Sequence, residues 1–339
     1  MLAVRDRLRA VISRFSEVRV AVLGDPVLDV YVYGTSVRIS REAPVPIVRE
    51  DGREARLGGA ANAAANLAAL GAATRLIGVV GDDDAREELY ELALERGIDA
   101  SGLVGVADRQ TVTKTRILAG GVHTTKQQLL RIDRENDRAV SERARAALLE
   151  AFEAGVVGSR ALVVSDYEPG DLPKLYAELA RRARPACTVV VDSRFNLNAY
   201  SGASAVTPNE PEAEVAVAHE IRGSSEALLA AAELRVRLSL EAAILTRGKE
   251  GMVVETAEGG TLIPRHGSPE AVDVTGAGDT VTAVVTLARA AGASFEEAAL
   301  LANLAASRVV QVVGTATCSV EELLAALDEA DLSPLQGRA

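Results

Sequence analysis

The chain contains no tryptophan, and aromatic residues make up only 3% of its 339 positions. Its core must therefore be built from Ala, Val and Leu, which suits helices packed on a parallel sheet with both faces buried. Two cysteines, Cys187 and Cys318, lie far apart without metal-ligand spacing and predict free thiols in a reducing compartment. Three isolated histidines, His123, His219 and His266, favour surface or loop positions over a catalytic triad.

Excess positive charge and long apolar runs are also missing. The net charge is −11 and the basic residues are scattered, so a nucleic-acid-binding surface is not expected. No segment approaches the roughly 18–20 apolar residues needed to span a bilayer, and the N-terminus lacks the apolar stretch of a signal peptide. We therefore expect a cytoplasmic protein without membrane contact.

Several nucleotide-binding and catalytic signatures are absent as well. The sequence has no Gly-x-x-x-x-Gly-Lys-Ser/Thr phosphate loop, and "LGDPVLD" after the first apolar run has one glycine instead of Gly-x-Gly-x-x-Gly. Gly-x-Ser-x-Gly is missing too. These absences argue against a P-loop protein, a nicotinamide-binding Rossmann domain and a serine hydrolase.

Short apolar runs alternate with helical patterns along the chain. Buried strands are predicted at 18–24, 74–80, 161–165, 187–191 and 242–246. Helices are predicted at 59–70, 84–96, 141–155, 172–183 and 224–238. This alternation predicts an α/β fold, in which a parallel sheet with right-handed crossovers carries helices on both faces.

Two segments break this rhythm, at about 30–50 and 108–134, where polar and apolar residues alternate. They predict strands with one solvent-facing side, and we expect them to form a small sheet, or lid. Without any repeat or long linker, the chain is expected to be one domain over 1–339 with this lid inserted. The apolar face of such a sheet favours a homodimer through the lid.

The stretch "DVTGAGDT" (273–280) precedes a long run of small and apolar residues. Asp279 stands at the start of the predicted helix, where a carboxylate can serve as a cap. The same geometry can form an anion site, because the N–H groups of Gly276, Ala277 and Gly278 can face a phosphate. The stretch alone leaves both interpretations open.

Other polar residues follow predicted strands, at the edge where α/β folds form their sites. Asp25 and Asp29 in "GDPVLD" fit either turn and cap positions or ligand contacts. Asn62 lies one turn after Gly58 and Gly59, where its amide is placed to hydrogen-bond the hydroxyls of a ligand.

Two further polar features have both a structural and a functional interpretation. Asn209 and Glu212 in "TPNEPEAE" fit a capping box as well as they fit magnesium chemistry through water. Asn303 stands in an otherwise apolar helix. It is either a satisfied core amide or a contact at the edge of a pocket.

The stretches "GGAANAAANLAALG" (58–71) and "DVTGAGDT" resemble the two signatures of the ribokinase-like (PfkB) carbohydrate kinases. The resemblance covers roughly residues 17–325. It implies a ribokinase-like three-layer αβα sandwich with a mostly parallel sheet and a small β-sheet lid. It also implies an enzyme, an ATP-dependent kinase that uses Mg²⁺ and phosphorylates an alcohol group.

The resemblance assigns roles to individual residues. Asp279 matches the catalytic base, and the backbone of Gly276, Ala277 and Gly278 matches the group that stabilises the transferred phosphoryl. Asn209 and Glu212 match the element that orders the magnesium waters. Asp273, with the loop "GTATCS" (314–319), resembles a monovalent-cation site for K⁺. The positions that match the ATP site are Asn209, Thr246, Gly248, Gly276, Gly278 and Asn303.

On the acceptor side, the positions that match sugar-binding residues are Asp25, Asp29, Gly58, Gly59 and Asn62. Within the family, the likeness is greatest to the bacterial kinases of D-glycero-D-manno-heptose 7-phosphate. It is carried by "GDPVLDVYVYGTSVRISREAPVPIV" (24–48), "KQQLLRID" (126–133) and "LTRGKEGM" (245–252). This likeness implies phosphorylation of the anomeric hydroxyl to a 1,7-bisphosphate, for ADP-heptose and lipopolysaccharide precursors.

A phosphorylated acceptor also requires cations at its far end. The candidates in the lid segments are Arg38, Lys114, Arg116, Lys126 and Arg131. Each of them fits a solvated surface position equally well. Their clustering in two segments that should pair favours binding.

The sequence departs from those heptose kinases at two places near the predicted acceptor pocket. "SDYEPG" (165–170) has Glu168-Pro169 where they carry a small residue and Lys, and "AGGVHTT" (119–125) differs ahead of "KQQLLRID". Ribose, fructose, a fructose phosphate and a nucleoside therefore stay open as substrates. A non-catalytic sugar- or nucleotide-binding protein is the alternative from another class.

Overall fold

The computed structural model describes residues 2–121, 126–136, 139–168, 172–184, 186–268 and 270–338. His123 and the lid residues around it, 122–125, lie outside the described residues, as does Pro169.

The described part of the chain forms helices and strands that we number in chain order. The helices are α1 (Leu2–Ile12), α2 (Ala60–Ala69), α3 (Asp84–Glu95), α4 (Glu142–Val156), α5 (Leu172–Ala183), α6 (Glu210–Val217), α7 (Gly223–Arg237), α8 (Ala277–Ala290), α9 (Phe295–Val309) and α10 (Val320–Glu329). The strands are β1 (Arg19–Gly24), β2 (Pro26–Ile39), β3 (Pro46–Gly59), β4 (Ala73–Gly81), β5 (Asp99–Val106), β6 (Val112–Gly120), β7 (Gln127–Arg134), β8 (Ala161–Asp166), β9 (Thr188–Ser193), β10 (Ala205–Val206), β11 (Ala242–Thr246), β12 (Met252–Thr256) and β13 (Gly259–Ile263).

The main sheet has the strand order β13-β12-β11-β10-β9-β8-β1-β4-β5. Its strands from β11 to β5 pair in parallel, and β12 and β13 add an antiparallel edge. The prediction of a mostly parallel sheet is thereby confirmed.

Helices cover both faces of this sheet. Along β1, Val20 and Val22 belong to one hydrophobic core, while Ala21 and Leu23 belong to the other. The first core also takes residues from α1, α2, α3, α8, α9 and α10. The second takes residues from α4, α5, α6 and α7. The inner strands β1, β8 and β9 are therefore buried on both sides, which explains their continuous apolar runs and completes the three predicted layers.

A second, smaller sheet has the order β3-β2-β6-β7. Pairs β2–β3 and β6–β7 are antiparallel, while β2–β6 is parallel. The predicted accessory sheet is confirmed, but it is longer than expected. Its first hairpin spans 26–59 instead of 30–50, because Leu28, Val30 and Leu57 at its base join the core around α2.

One face of the small sheet carries charged and polar side chains. The register pairs Asp29 with Lys114, and Tyr31 with Arg116, which in turn faces Arg131. Because side chains alternate along strands, these residues share one polar face.

Among the described residues, no helix is long and apolar enough to cross a membrane.

Candidate active site

The first turn of α8 begins at a glycine that no other residue could replace without strain. Gly276 has φ of 80°, in the left-handed region that favours glycine. A Cβ atom at this position would lie 2.6 Å from the Asn62 Nδ2 atom. The helix is capped by Gly276 without a side-chain hydrogen bond. Asp279 is therefore free of the capping role that the sequence left open.

The carboxylate of Asp279 is instead held by two side chains from other elements. The Asn62 amide on α2 donates to Asp279 Oδ2 at 2.7 Å, and the Tyr167 hydroxyl donates to Oδ1 at 3.2 Å. The side chain is only 5% exposed. Burial raises the pKa of Asp279 to about 7, although the hydrogen bonds from Asn62 and Tyr167 oppose this shift. A carboxyl group with such a pKa suits proton transfer near neutral pH.

Tyr167 and Asp192 belong to this constellation, and neither was predicted from the sequence. The Tyr167 hydroxyl lies 2.9 Å from Asp192 Oδ2 as well as near Asp279. Burial raises the pKa of Asp192, and the negative charges of Glu212 and Asp279 raise it further. Both residues stand at the carboxyl ends of strands predicted at 161–165 and 187–191. This position was the signal that could have found them.

A cavity of about 500 Å³ opens beside the first turn of α8. Predicted nucleotide and phosphate residues that line it are Asn209, Glu212, Thr246, Gly248, Ala277, Gly278 and Asn303. Asn303 also donates to the Pro264 carbonyl at 2.7 Å, so it is both a satisfied amide and a cavity contact. Lys249 and His266 line the same cavity, and the sequence analysis did not single them out for it.

Asn209 and Glu212 form the capping box that was one of their two interpretations. Asn209 Oδ1 accepts from the Glu212 N–H, and Glu212 Oε2 accepts from the Asn209 N–H, both at 2.9 Å. No cluster in the described part of the chain is arranged to hold a metal ion with three or more protein ligands. The repulsion between Glu212 and buried Asp192 nevertheless fits a magnesium ion held through water beside them.

The predicted acceptor residues of β1 and the following turn are buried. Asp25 is 3% exposed, and its Oδ2 accepts the backbone N–H groups of Tyr167 and Glu168 at 2.9 Å each. Its Oδ1 accepts the Tyr176 hydroxyl at 2.9 Å. Asp25 therefore fixes the turn that carries Tyr167 to Asp279.

Glycines let the backbone approach both aspartates closely. A Cβ atom on Gly58 would lie 2.4 Å from Asp29 Oδ2, and one on Gly59 would lie 2.6 Å from the Asp25 carbonyl. Gly59, with φ of 53°, is also the N-cap residue of α2. The negative charge of Asp29 raises the pKa of Asp279. Gly58 thus lies against Asp29, Gly59 lies against Asp25, and Asn62 donates to Asp279.

Three of the predicted cations are paired with carboxylates. Arg116 forms an ion pair with Asp29, in which both side chains are largely buried. Lys126 pairs with Asp51 at 3.2 Å, and Arg131 pairs with Asp133 at 2.8 Å. Arg38 is exposed at the outer end of β2, opposite Ile47.

Lys114 differs from these cations. It forms no ion pair or hydrogen bond through its ammonium group with any described residue. Its charge lowers the pKa of Asp279 and of Glu168, so its ammonium group lies near both acids.

Asp273 joins two loops next to the Gly276 turn. Its Oδ1 accepts from the Thr275 N–H at 2.9 Å, and its Oδ2 accepts from the Gly314 N–H at 2.8 Å. Burial would raise the pKa of Asp273, but these hydrogen bonds outweigh it and lower the pKa. The Arg56 side chain on β3 donates to the Val313 carbonyl of the same loop. The carboxylate is thus an anion, as a monovalent-cation site requires.

Comparison with known proteins agrees with this arrangement. The family model described as "pfkB family carbohydrate kinase" matches residues 19–323. The chain belongs to this family. The family prediction made from the two signatures is confirmed.

Relatives of this kinase include two proteins named "Bifunctional protein HldE". The one from Coxiella burnetii (strain RSA 331 / Henzerling II) is 41% identical over 319 residues, which cover 94% of this chain and 65% of the relative. The one from Paramagnetospirillum magneticum is 40% identical over 332 residues, covering 96% of this chain and 67% of the relative. The kinase therefore spans about two thirds of the length of these relatives.

Solved structures show the same fold at lower sequence identity. Phosphofructokinase-2 from Escherichia coli, in complex with substrates and products, has a TM-score of 0.75 and 21% identity, covering 92% of this chain and 99% of that one. Ribokinase from Arabidopsis thaliana, complexed with ribose and ATP, has a TM-score of 0.70 and 20% identity, covering 91% and 98%. The ribokinase-like fold predicted from the sequence is confirmed.

Proposed function

We propose that this kinase transfers the γ-phosphoryl group of ATP to the anomeric hydroxyl of D-glycero-D-manno-heptose 7-phosphate. The products are a heptose 1,7-bisphosphate and ADP, and the bisphosphate serves the synthesis of ADP-heptose for lipopolysaccharide. The choice of heptose rests on the sequence resemblance to heptose 7-phosphate kinases. Its relatives of about 40% identity are named bifunctional, which is consistent with a kinase that works beside a second activity.

One observation carries the kinase mechanism. Asp279, with its pKa raised to about 7, stands one turn into α8, directly after Gly276, Ala277 and Gly278. The cavity proposed for a nucleotide lies against this turn, and Asn62, one of the residues proposed to bind sugar, donates to the Asp279 carboxylate. A base between an acceptor and a phosphate is what phosphoryl transfer requires.

In the proposed step, the sugar hydroxyl attacks the γ-phosphorus of ATP while Asp279 takes its proton. The new bond joins the sugar oxygen to phosphorus, the bond from the γ-phosphorus to the bridging oxygen breaks, and ADP leaves. Backbone N–H groups at Gly276, Ala277 and Gly278 stabilise the negative charge on the transferred group. Asn62 and Tyr167 hold the carboxylate in position through the hydrogen bonds described above.

Magnesium and ATP are assigned to the opposite side of Asp279. Asn209 and Glu212 would hold the ion through water, and when bound it neutralises phosphate charge. The residues proposed to contact ATP are Asn209, Thr246, Gly248, Gly276, Gly278 and Asn303. Asp273 and the loop 314–319 are proposed to take a monovalent cation such as K⁺, because the lowered pKa of Asp273 keeps it ionised. Activity in potassium chloride compared with tetramethylammonium chloride tests this last assignment.

Asp25, Asp29, Gly58, Gly59 and Asn62 are proposed to position the sugar next to Asp279. The phosphate at its far end is assigned to cations of the small sheet, Arg38, Lys114, Arg116, Lys126 and Arg131. Four of them lie on or beside the polar face, where Lys114 and Arg116 occupy register positions next to Asp29 and Tyr31. A bound phosphate would compete with Asp29, Asp51 and Asp133 for three of these cations.

This competition favours a second candidate substrate, an unphosphorylated sugar such as ribose or fructose. Carboxylates of the protein already balance the charges of Arg116, Lys126 and Arg131, so these cations do not need a phosphate as partner. An acceptor without a phosphate leaves all three pairs intact.

We also propose that two copies of the kinase associate through the small sheet. Several apolar side chains of the small sheet are exposed. Leu130 (53% exposed) and Ile132 (48% exposed) lie on its edge strand β7. Ile39, 62% exposed, ends β2. A monomer that left this surface in water would carry an unusual apolar patch, whereas a symmetric partner would cover it.

The experiment that tests the proposed function is an acceptor panel. The kinase is incubated with magnesium-ATP and heptose 7-phosphate, fructose 6-phosphate, ribose, fructose or a nucleoside, and ADP release is measured. Phosphorus NMR then identifies the phosphorylated position. Highest kcat/KM with heptose 7-phosphate at C1 is expected. Preference for ribose or fructose would replace the heptose proposal by the second candidate.

A further inference from the structure

Glu168 is a buried acid that the mechanism above does not use. It follows Tyr167 in the turn after β8, and its backbone N–H is fixed by Asp25 Oδ2 at 2.9 Å. The side chain is only 5% exposed, yet its Oε2 atom has no hydrogen-bond partner among the described residues. Buried polar atoms without a partner are rare, because each loses its water without replacement.

The carboxyl oxygens of the neighbouring acids accept hydrogen bonds from the protein, whereas Oε2 of Glu168 does not. Both oxygens of Asp25 and both oxygens of Asp279 accept hydrogen bonds from protein groups. Asp166 also has one bare oxygen, but it is fully enclosed, and Ser193 and Tyr200 hold its other oxygen. Of the two described carboxyl groups with a bare buried oxygen, only Glu168 keeps some exposure to solvent, and it directly follows Tyr167, whose hydroxyl contacts Asp279.

Charged groups of the small sheet act on the carboxyl group of Glu168. Burial and the negative charges of Asp25 and Glu135 raise the pKa of Glu168, while Lys114 on β6 and Arg109, just before β6, oppose this rise, and the resulting pKa is about 7. Lys114 also acts on Asp279. The ammonium group of Lys114, which has no hydrogen-bond or ion-pair partner among the described residues, therefore lies close enough to act on both Glu168 and the proposed base.

We propose that Glu168 is a specificity-determining residue whose carboxyl oxygen accepts a hydrogen bond from a hydroxyl group of the acceptor sugar. Lys114, across the same space, donates to another oxygen of that sugar. A donor and an acceptor that face each other without pairing suit a polyol, whose hydroxyls serve as both. The inference rests on the proposed sugar-kinase function, but it holds for any acceptor that reaches Asp279.

The same placement disfavours a phosphate next to Glu168. Asp25 and Glu135 add negative charge around this carboxyl group, so an anionic substituent there would be repelled. A phosphorylated acceptor must therefore direct its phosphate away from the turn after β8.

The test compares Glu168→Ala and Glu168→Gln with the wild-type kinase on the best acceptor of the panel. A lost hydrogen bond to a charged group weakens binding about 10- to 100-fold. We therefore expect KM for the sugar to rise by about that factor in Glu168→Ala. Glu168→Gln should recover part of it, since its amide oxygen still accepts. KM for ATP should stay within about twofold, and Glu135→Ala, which removes an exposed acid nearby, should behave as wild type.

Deoxy derivatives of the same sugar identify the hydroxyl concerned. The derivative that lacks this hydroxyl should react equally well with wild type and Glu168→Ala, while the other derivatives still distinguish them. The melting temperature of both variants should not fall, because a bare buried acid does not stabilise the fold.

An unchanged KM for every acceptor would overturn the inference. So would a lowered melting temperature with equal losses for sugar and ATP, which would indicate a structural role. If another sugar replaces heptose 7-phosphate as substrate, the heptose proposal fails while Glu168 is tested on that sugar. If none reacts, sugar-induced shifts in melting temperature must differ between wild type and Glu168→Ala for the inference to stand.

Discussion

At the scale of single residues, Asp279 is buried (5% exposed) and directly follows Gly278, which lines the cavity beside α8. Asn62 and Tyr167 approach it from α2 and from the turn after β8. These contacts fix the orientation of the carboxylate and still leave it able to take a proton. Its role is therefore testable without disturbing the surrounding packing.

Asp279→Asn should reduce kcat by roughly 10²–10⁴-fold, since the amide cannot act as a general base. The fold should survive, because an amide oxygen can accept from Asn62. Steady-state ADP release and thermal melting at pH 8 measure the two effects. The pKa of Asp279 is higher in the fold than its usual 3.8, so ionisation destabilises the fold as pH rises toward 7. The variant avoids this effect, and a melting temperature well below that of wild type would contradict our account.

The acid limb of the kcat/KM profile should report the same carboxyl group. Activity should fall about tenfold per pH unit below the pKa of Asp279, near 7 in the free kinase, because the protonated acid is no base. Tyr167→Phe removes a hydrogen bond that lowers this pKa, so its acid limb should lie at higher pH. A limb that does not respond to Tyr167→Phe would show that another group controls it.

At the scale of secondary-structure elements, the glycine turn ahead of α8 lies between the proposed nucleotide cavity and the proposed base, Asp279. Gly276 combines a left-handed backbone with close contact to Asn62 and to Thr315, whose Cγ2 atom would lie 3.2 Å from an added Cβ. Gly202 has nearly the same φ, 82°, but open space around it. The chain thus contains its own matched control.

Gly276→Ala should lower both stability and kcat, because strain of about 1–2 kcal/mol is added to a collision with Asn62. Gly202→Ala should lose a similar amount of stability from backbone strain alone and keep its activity. Thermal melting and ADP release separate the two. Equal kinetic losses in both variants would show that the turn acts only through stability.

The small sheet is the element proposed to bring two copies together. Leu130→Glu should shift the kinase from dimer to monomer, since a charge cannot be buried in an apolar interface without a partner. Val157→Glu, at another exposed apolar site (74% exposed) after α4, is the control. Analytical ultracentrifugation at micromolar concentration measures the result, and a monomeric wild type would overturn the proposal.

At the scale of the whole molecule, most of the architecture was predictable from apolar runs and helical periodicity. The strands predicted at 161–165 and 242–246 appear as β8 and β11, and the helix predicted at 172–183 appears as α5. These elements are buried strands or amphipathic helices, so their own residues determine them. The resemblance to the two family signatures implied the arrangement of these elements in a three-layer ribokinase-like fold.

What escaped prediction depends on contacts between distant segments. β10 has only two residues, and its neighbours β9 and β11 define it rather than any pattern of its own. Likewise, Tyr167 lies 112 positions from Asp279, and no local rule brings them together. The bare oxygen of Glu168 and the pairing of Arg116 with Asp29 also become visible only in three dimensions.

The reach of Arg56 across the molecule has a kinetic consequence. This side chain starts on the small sheet and holds the Val313 carbonyl, while Thr315 two positions later packs against Gly276. If a bound sugar moves the small sheet, we expect the loop at 313–315, which Arg56 holds, to move with it next to Gly276. We expect each substrate to tighten the binding of the other. The lines of a double-reciprocal plot with both substrates varied should then intersect above the abscissa. In Arg56→Ala the intersection should move down to the abscissa.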